Sequence, residues 1–178
     1  MIFFISDTHF NHGGSLRWGH NARPFSSVSE MNNFMVTKWN SVVQENDVVY
    51  IIGDFAYKCH KNAILQIEKQ LNGVKHLIEG NHDIVLSSKL ACWESVSQIK
   101  QINVMIEGKE QEIILCHYPM LSWRHSNKGS WQLHGHTHGT IQQSNQNCKR
   151  LDLSVECWDY TPVSLNQVVA AMNSKVDR

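Results

Sequence analysis

Five short apolar runs in this chain end directly on a side chain able to ligate a metal ion. Residues 2–6 lead into Asp7, Val48–Ile52 into Gly53-Asp54, and 76–78 into Glu79-Gly80-Asn81; 112–116 lead into His117, and 131–133 into His134-Gly135-His136. Short apolar runs bounded by Gly and polar residues read as buried strands. In open α/β sheets, the loops beyond the carboxyl ends of the strands converge on one crevice. Segments far apart in sequence are therefore expected to deliver their polar tips to one place.

The intervening segments fit that plan. Met31, Phe34, Met35, Trp39 and Val42 recur at helical spacing behind Ser27 or Ser29, either of which can cap a helix. A second helix is expected over 63–71, stopped by Gly73, and a last one behind Ser164 through Val168, Val169 and Met172. The second half reads as consecutive strands. Residues 97–106 and 112–116 form a hairpin about Glu107-Gly108-Lys109-Glu110, and Leu151, Leu153 and Val155 alternate as in a half-buried strand. No repeat or Pro/Gly/Ser-rich linker divides the chain, so residues 1–178 are read as a single domain of the α/β class.

Composition narrows the function. Lys plus Arg and Asp plus Glu number 16 each, and this balance argues against steering toward nucleic acid or an anionic membrane. Cys59, Cys92, Cys116, Cys148 and Cys157 are odd in number and contain no Cys-x-x-Cys pair, which predicts free thiols in a reducing compartment. The apolar start stops at Asp7, and no apolar run approaches the roughly 20 residues that span a bilayer. A cytoplasmic protein without a membrane partner is expected. Histidine is abundant at 11 residues, and histidine is both a metal ligand and a proton carrier near neutral pH.

The expected crevice would hold Asp7 and His9, two positions apart, the oxygen ligands Asp54 and Asn81, and the imidazoles of His117, His136 and His138. Oxygen and imidazole donors without thiolate suit manganese, iron or zinc better than calcium or copper(I). Seven ligands exceed the four of a structural zinc site and suffice for two ions sharing one carboxylate.

Asp7-Thr8-His9, Gly53-Asp54, Gly80-Asn81-His82-Asp83, His117 and Gly135-His136-Thr137-His138, in this order, resemble the motifs of the calcineurin-like metallophosphoesterase superfamily. The extension Asn11-His12 and the later Arg23-Pro24-Phe25 resemble small single-domain members from bacteria and their phages. The resemblance implies two mixed β-sheets packed face to face and flanked by helices, a four-layer sandwich. It implies one metal on Asp7, His9 and His138, a second on Asn81, His117 and His136, and Asp54 bridging them. The cofactor is then two divalent ions, manganese first, with iron, zinc, nickel or cobalt as alternatives. His82 would stand beside the substrate phosphate, oriented and polarised by Asp83. A hydroxide between the metals would attack phosphorus in line, with His82 assisting the leaving group.

The chain departs from the family pattern at two places. The stretch Gly53-Asp54-Phe55-Ala56-Tyr57-Lys58 lacks the second Asp and the Arg found in many members, and Glu79 stands where protein phosphatases of the superfamily carry Arg. These differences disfavour a phosphoprotein phosphatase. The expected substrate is a small phosphorylated or nucleotide-like molecule, cleaved as a diester or a monoester. His12 and Arg23 are candidate substrate contacts, His134 a structural or substrate-side residue, and Trp123 a candidate rim of the pocket. Two competing readings are a catalytically silent scaffold that binds a protein partner, and a nuclease acting on DNA or RNA. A domain of this size also has room for a homo-oligomeric contact, although no stretch of sequence marks one.

Overall fold

A computed structural model describes residues 1–19, 22–58, 60–83, 89–142, 144 and 148–175. His20 and Cys59 lie outside the described residues. Among the described residues nine strands and three helices follow in the order β1 (Ile2–Ile5), α1 (Val28–Val42), β2 (Val48–Ile52), α2 (Lys61–Glu68), β3 (Val74–Ile78), β4 (Ser95–Ser97), β5 (Ile99–Ile106), β6 (Lys109–Cys116), β7 (Trp131–His134), β8 (Arg150–Asp152), β9 (Val163–Ser164) and α3 (Leu165–Asn173).

One sheet has the strand order β4-β3-β2-β1-β9, the other β5-β6-β7-β8. In the first, β1 to β4 run parallel and only β9 is antiparallel. In the second, β5 and β6 form the hairpin, and β6, β7 and β8 run parallel. Period-two alternation places the first sheet between two cores. Phe3, Ile5, Val49, Ile51 and Leu77 pack against Met31, Met35 and Trp39 of α1 and Ile64 and Ile67 of α2. Phe4, Ile52 and Ile78 on the other face meet Ile113, Leu115, Leu133 and Leu151 of the second sheet, joined by Val168 and Met172 of α3. The fold is a metallophosphoesterase-like sandwich of the α/β class. Among the described residues no helix is long and apolar enough to cross a membrane.

Local chemistry explains the elements. Ser27 accepts from the Glu30 amide to cap α1, and Met31, Met35 and Trp39 bury one stripe at i, i+4 and i+8. Ser164 and Gln167 form a reciprocal capping box on α3. The second helix ends earlier than its apolar spacing suggests. Beyond Glu68 the backbone tightens to bonds of Gln70 N to Ile67 O and Leu71 N to Glu68 O, so 69–71 is a turn. The hairpin turn is also shorter than expected. Glu107 and Gly108 both have positive φ (50° and 79°), the signature of a two-residue type I′ turn, and β6 therefore starts at Lys109.

The expected half-buried strand at 151–155 is corrected. Arg150, Leu151 and Asp152 of β8 are all buried, and Val155–Cys157 forms a 3-10 turn. Arg150 and Asp152 tolerate burial because Arg150 donates to Met120 O and Asp152 accepts from Thr137, Gly139 and Ser154. The described cysteines Cys92, Cys116, Cys148 and Cys157 are not joined in disulfides.

Candidate metal centre

The parallel registers Ile5 to Ile51 and Ile52 to Ile78 bring the ends of β1, β2 and β3 to one edge, and Leu115 to Leu133 does the same for β6 and β7. Backbone bonds then continue past the strands. Asp7 N donates to Gly53 O, His9 N to Asp54 O, and Gly135 N to His117 O. Ser6 donates to Leu153 O and accepts from Val155 N, which ties the first sheet to the end of the second. Asp7, His9, Asp54, Asn81, His117, His136 and His138 are thereby drawn into one cluster.

The backbone is bent sharply where these residues sit. Asp7, His9, Asp54, His136 and His138 have φ between 45° and 69°, in the left-handed region. Asp and His tolerate that region better than most residues, yet each such residue costs about 1 kcal/mol or more. Three glycines allow the loops to close. A Cβ on Gly53 would lie 2.3 Å from His117 Nδ1, on Gly80 2.2 Å from Asp54 Oδ1, and on Gly135 2.2 Å from Asp7 Oδ2.

Asp7 Oδ2 accepts from Ser6 Oγ (2.6 Å), Ser154 Oγ (3.0 Å) and His136 N (2.9 Å). Its Oδ1 is buried without a hydrogen-bond partner, and faces His138 Nε2 at 3.5 Å and His9 Nε2 at 3.8 Å. Asp54 Oδ1 accepts from His82 N at 2.9 Å. Asp54 Oδ2 lies 3.5 Å from His117 Nε2, 3.6 Å from His9 Nε2 and 3.9 Å from His82 Nε2. Asn81 Oδ1 is 3.2 Å from His117 Nε2 and 3.1 Å from His136 Nδ1. Three overlapping groups, Asp7/His9/His138, His9/Asp54/His82 and Asp7/Asp54/His117, each keep their ligand atoms within 4.8 Å of one another. An orphaned carboxylate oxygen facing imidazole nitrogens is the arrangement a cation completes. The donor set fits divalent metal ions.

The electrostatics agree. Burial pushes the Asp7 carboxyl up, against the pull of His117 and His138. Burial also acts on Asp54, but the hydrogen bond and charge of His117 outweigh it and hold Asp54 at about 2. His117 suffers burial yet rises to about 9, because Asp54 and Asp7 surround Nε2 and Ile52 O accepts from Nδ1 at 2.9 Å. Burial drives His9 well below the usual imidazole range. The proton on His117 occupies the place of positive charge that a metal would take.

Three expected roles are corrected. Asp83 is buried, but its carboxylate accepts from the backbone amides of Asp54 (2.6 Å), Gly80 (2.9 Å) and Phe55 (3.1 Å). It braces the β2 and β3 loops instead of polarising His82. Arg23 is buried with its guanidinium committed to Asp7 O, Thr8 O and Glu156, which leaves no fork for a phosphate. Trp123 donates to Ser130 O and lines a separate cavity of about 480 Å³ with Leu121 and Cys148, away from the ligand cluster. His134 is buried and structural. His12 does reach the cluster. Its ring stacks on Tyr57 (3.7 Å) and sits 5.2 Å from His9, and burial with the charges of His82 and Arg23 lowers it to about 4.

Glu156 has no signal in the sequence. Its Oε2 accepts from His138 Nδ1 at 3.0 Å and its Oε1 from Arg23 Nε at 2.9 Å. It thereby fixes which nitrogen of His138 faces Asp7. Such carboxylate–histidine pairs orient metal ligands, and losing one lowers metal affinity by about 10–100-fold. Glu156→Gln is expected to weaken manganese binding by about that factor in a calorimetric titration; unchanged affinity would remove Glu156 from the site. Trp18 was also hidden among core tryptophans, and its ring lies 5.2 Å from His9 and 5.0 Å from His138.

Two facing mixed sheets of a metallophosphoesterase-like fold thus carry, at their strand ends, an Asp/His cluster able to hold metal. The chain belongs to one family with the uncharacterized protein MJ1445 of Methanocaldococcus jannaschii, to which it is 34% identical over 94% of its own length and 89% of that protein's. It is 26% identical to the gene 66 protein of Mycobacterium phage L5, over 88% of this chain and 86% of the phage protein. Its fold matches the crystal structure of a protein of unknown function, AQ665 from Aquifex aeolicus, with a TM-score of 0.72 and 25% identity over 96% of this chain and 98% of that one. No family model matches the chain.

Proposed function

We propose that this protein is a binuclear metal-dependent phosphoesterase, a member of the calcineurin-like superfamily, that hydrolyses a small nucleotide-like phosphodiester or phosphomonoester in the cytoplasm. The observation that carries the reading is the position of Asp54 Oδ2, at 3.6 Å from His9 Nε2 on one side and 3.5 Å from His117 Nε2 on the other. One carboxylate oxygen thus faces both halves of the donor set. Asp7, His9 and His138 would hold one ion, Asn81, His117 and His136 the other, with Asp54 shared. Two divalent ions, manganese first and iron, zinc, nickel or cobalt as alternatives, supply charge for the phosphate oxygens and lower the pKa of water toward neutrality.

The chain's own residues supply the rest. Ser6, Ser154 and the His136 amide fix one oxygen of Asp7 so that the other points inward. Trp18, His12 and Tyr57 wall the His9 side with ring contacts. His82 has a third of its side chain exposed and stands 3.9 Å from Asp54 Oδ2, at the open face of the cluster. From there Nε2–H can donate to a leaving oxygen. His82→Ala is expected to cost about 10²–10⁴-fold in turnover of an alkyl diester, and much less with nitrophenolate, which departs without a proton. Equal losses on both would leave His82 an electrostatic role only.

The experiment is turnover of bis-nitrophenyl phosphate and nitrophenyl phosphate by metal-stripped protein, before and after manganese. Manganese-dependent turnover of either supports the reading, and the preferred ester sets the class. No turnover of either by protein that has bound manganese would move weight to a non-catalytic scaffold.

A further inference from the structure

Beside the cluster lies a cavity of about 240 Å³ lined by Glu79, Gly80, Gln98, Ile99, Cys116 and Tyr118. Its wall is continuous with the metal centre, since Gly80 and Cys116 directly precede Asn81 and His117. The Tyr118 ring packs edge-on against His117 (5.1 Å) and His136 (4.9 Å), so one residue of the cavity wall also touches two of the candidate ligands. Tyr118 is 44% exposed and Ile99 56% exposed, a pair of large side chains open to solvent.

The polar groups of the wall are equally uncommitted. The side chains of Glu79 and Gln98 have no hydrogen-bond partner among the described residues. Among the described residues the only charge on the wall is the Glu79 carboxylate, which repels a second phosphate and accepts from N–H donors. An aromatic face, an aliphatic face, a carboxylate acceptor and an amide that both donates and accepts suit a planar heterocycle with a hydrogen-bonding edge. At about 240 Å³ the cavity is smaller than the roughly 300–1,000 Å³ of a drug-sized site, so it takes one ring system while the rest of the ligand lies elsewhere.

We infer that this cavity is a nucleobase subsite, in which Tyr118 and Ile99 hold the ring and Glu79 and Gln98 read an N–H-bearing edge, guanine's being the fullest match. The inference rests on the phosphoesterase reading for the placement of the phosphate, but the cavity's own contacts involve no metal. Guanosine and ribose are therefore each added to the full, zinc-loaded protein, with the Gln98 side-chain amide followed by NMR. Guanosine is expected to shift that amide and to bind roughly tenfold or more tighter than ribose. Ile99→Ala, at an exposed position, and Glu79→Gln, at a half-buried one, are expected to erase most of that preference. Equal binding of guanosine and ribose, or an unmoved Gln98 amide, would overturn the subsite. So would a preference that survives both substitutions. Because guanosine carries no phosphate, these outcomes do not depend on hydrolysis, whose failure is read separately with bis-nitrophenyl phosphate.

Discussion

Asp54→Asn is expected to lower kcat/KM on a diester by three orders of magnitude or more, equivalent to about 4 kcal/mol of transition-state stabilisation. The substitution keeps the shape of the side chain, and its amide oxygen can still accept from His82 N as Asp54 Oδ1 does at 2.9 Å. What disappears is the negative charge facing His9 and His117 together. An ordinary ligand serves one ion, whereas loss of a shared carboxylate weakens both. Calorimetry on the variant should therefore show weakened binding of both ions, not loss of one with the other intact. The proton on His117 is also linked to this charge. Without Asp54 the largest stabilising influence on the His117 imidazolium is gone, so His117 should titrate well below its value of about 9 in metal-stripped protein. NMR titration of the His117 ring reads this directly, and an unmoved titration would mean that Asp54 does not face it.

Gly80→Ala is the second large effect, and it acts through packing alone. Gly80 has no left-handed backbone, so alanine's conformational preference is not the obstacle. The obstacle is space. The new methyl would lie 2.2 Å from Asp54 Oδ1 and 2.6 Å from Asp54 N. The second of these atoms is backbone and is held by Asp83, so it cannot swing aside. Forcing atoms into so tight a loop is expected to cost about 3 kcal/mol or more, a fall in Tm of roughly 6–12 °C for a chain of this length. Gly108→Ala is the comparison. Its φ is 79° but no atom lies within 4 Å of the added methyl, so only the backbone cost of about 1 kcal/mol applies. If thermal unfolding ranked Gly108→Ala as the more damaging of the two, the close packing of the β3 loop on Asp54 would be wrong.

The same close packing makes part of the site legible in the sequence. The glycines before Asp54, Asn81 and His136 are there because each loop is packed onto another loop's candidate ligand, and that requirement fixes both residues of each pair. The strand ends that lie one to three residues before Asp7, Asp54, Asn81, His117 and His136 were legible for a related reason. The carboxyl ends of these parallel strands are buried, which favours apolar residues there and makes the first polar residue a marker of the end, although Lys75, His76 and Gln132 lie within the strands themselves. Helix α1 was legible because Met31, Met35 and Trp39 keep strict spacing behind a Ser cap.

The supporting residues were not legible, because their partners are set by tertiary contact and not by local pattern. Glu156 sits 18 residues from His138 and 133 from Arg23, and nothing near it in sequence marks the pairing. Arg23 looks like any arginine in a polar loop, yet it is buried and holds the carbonyls of Asp7 and Thr8. Asp83 is adjacent to His82 in the chain, but the backbone turn aims its carboxylate at the amides of Asp54, Phe55 and Gly80. Strand β8 misled for the converse reason. Alternation of apolar and polar residues signals one wet face only when the polar residues reach water, and Arg150 and Asp152 are instead satisfied inside the protein.

The measurement that tests the central claim most directly is turnover of bis-nitrophenyl phosphate as manganese is added in known equivalents to the metal-stripped protein. The account predicts no turnover without metal and a rise that saturates at two ions per chain. Turnover that is undiminished in stripped protein, or manganese that binds nowhere in a folded chain, would contradict it.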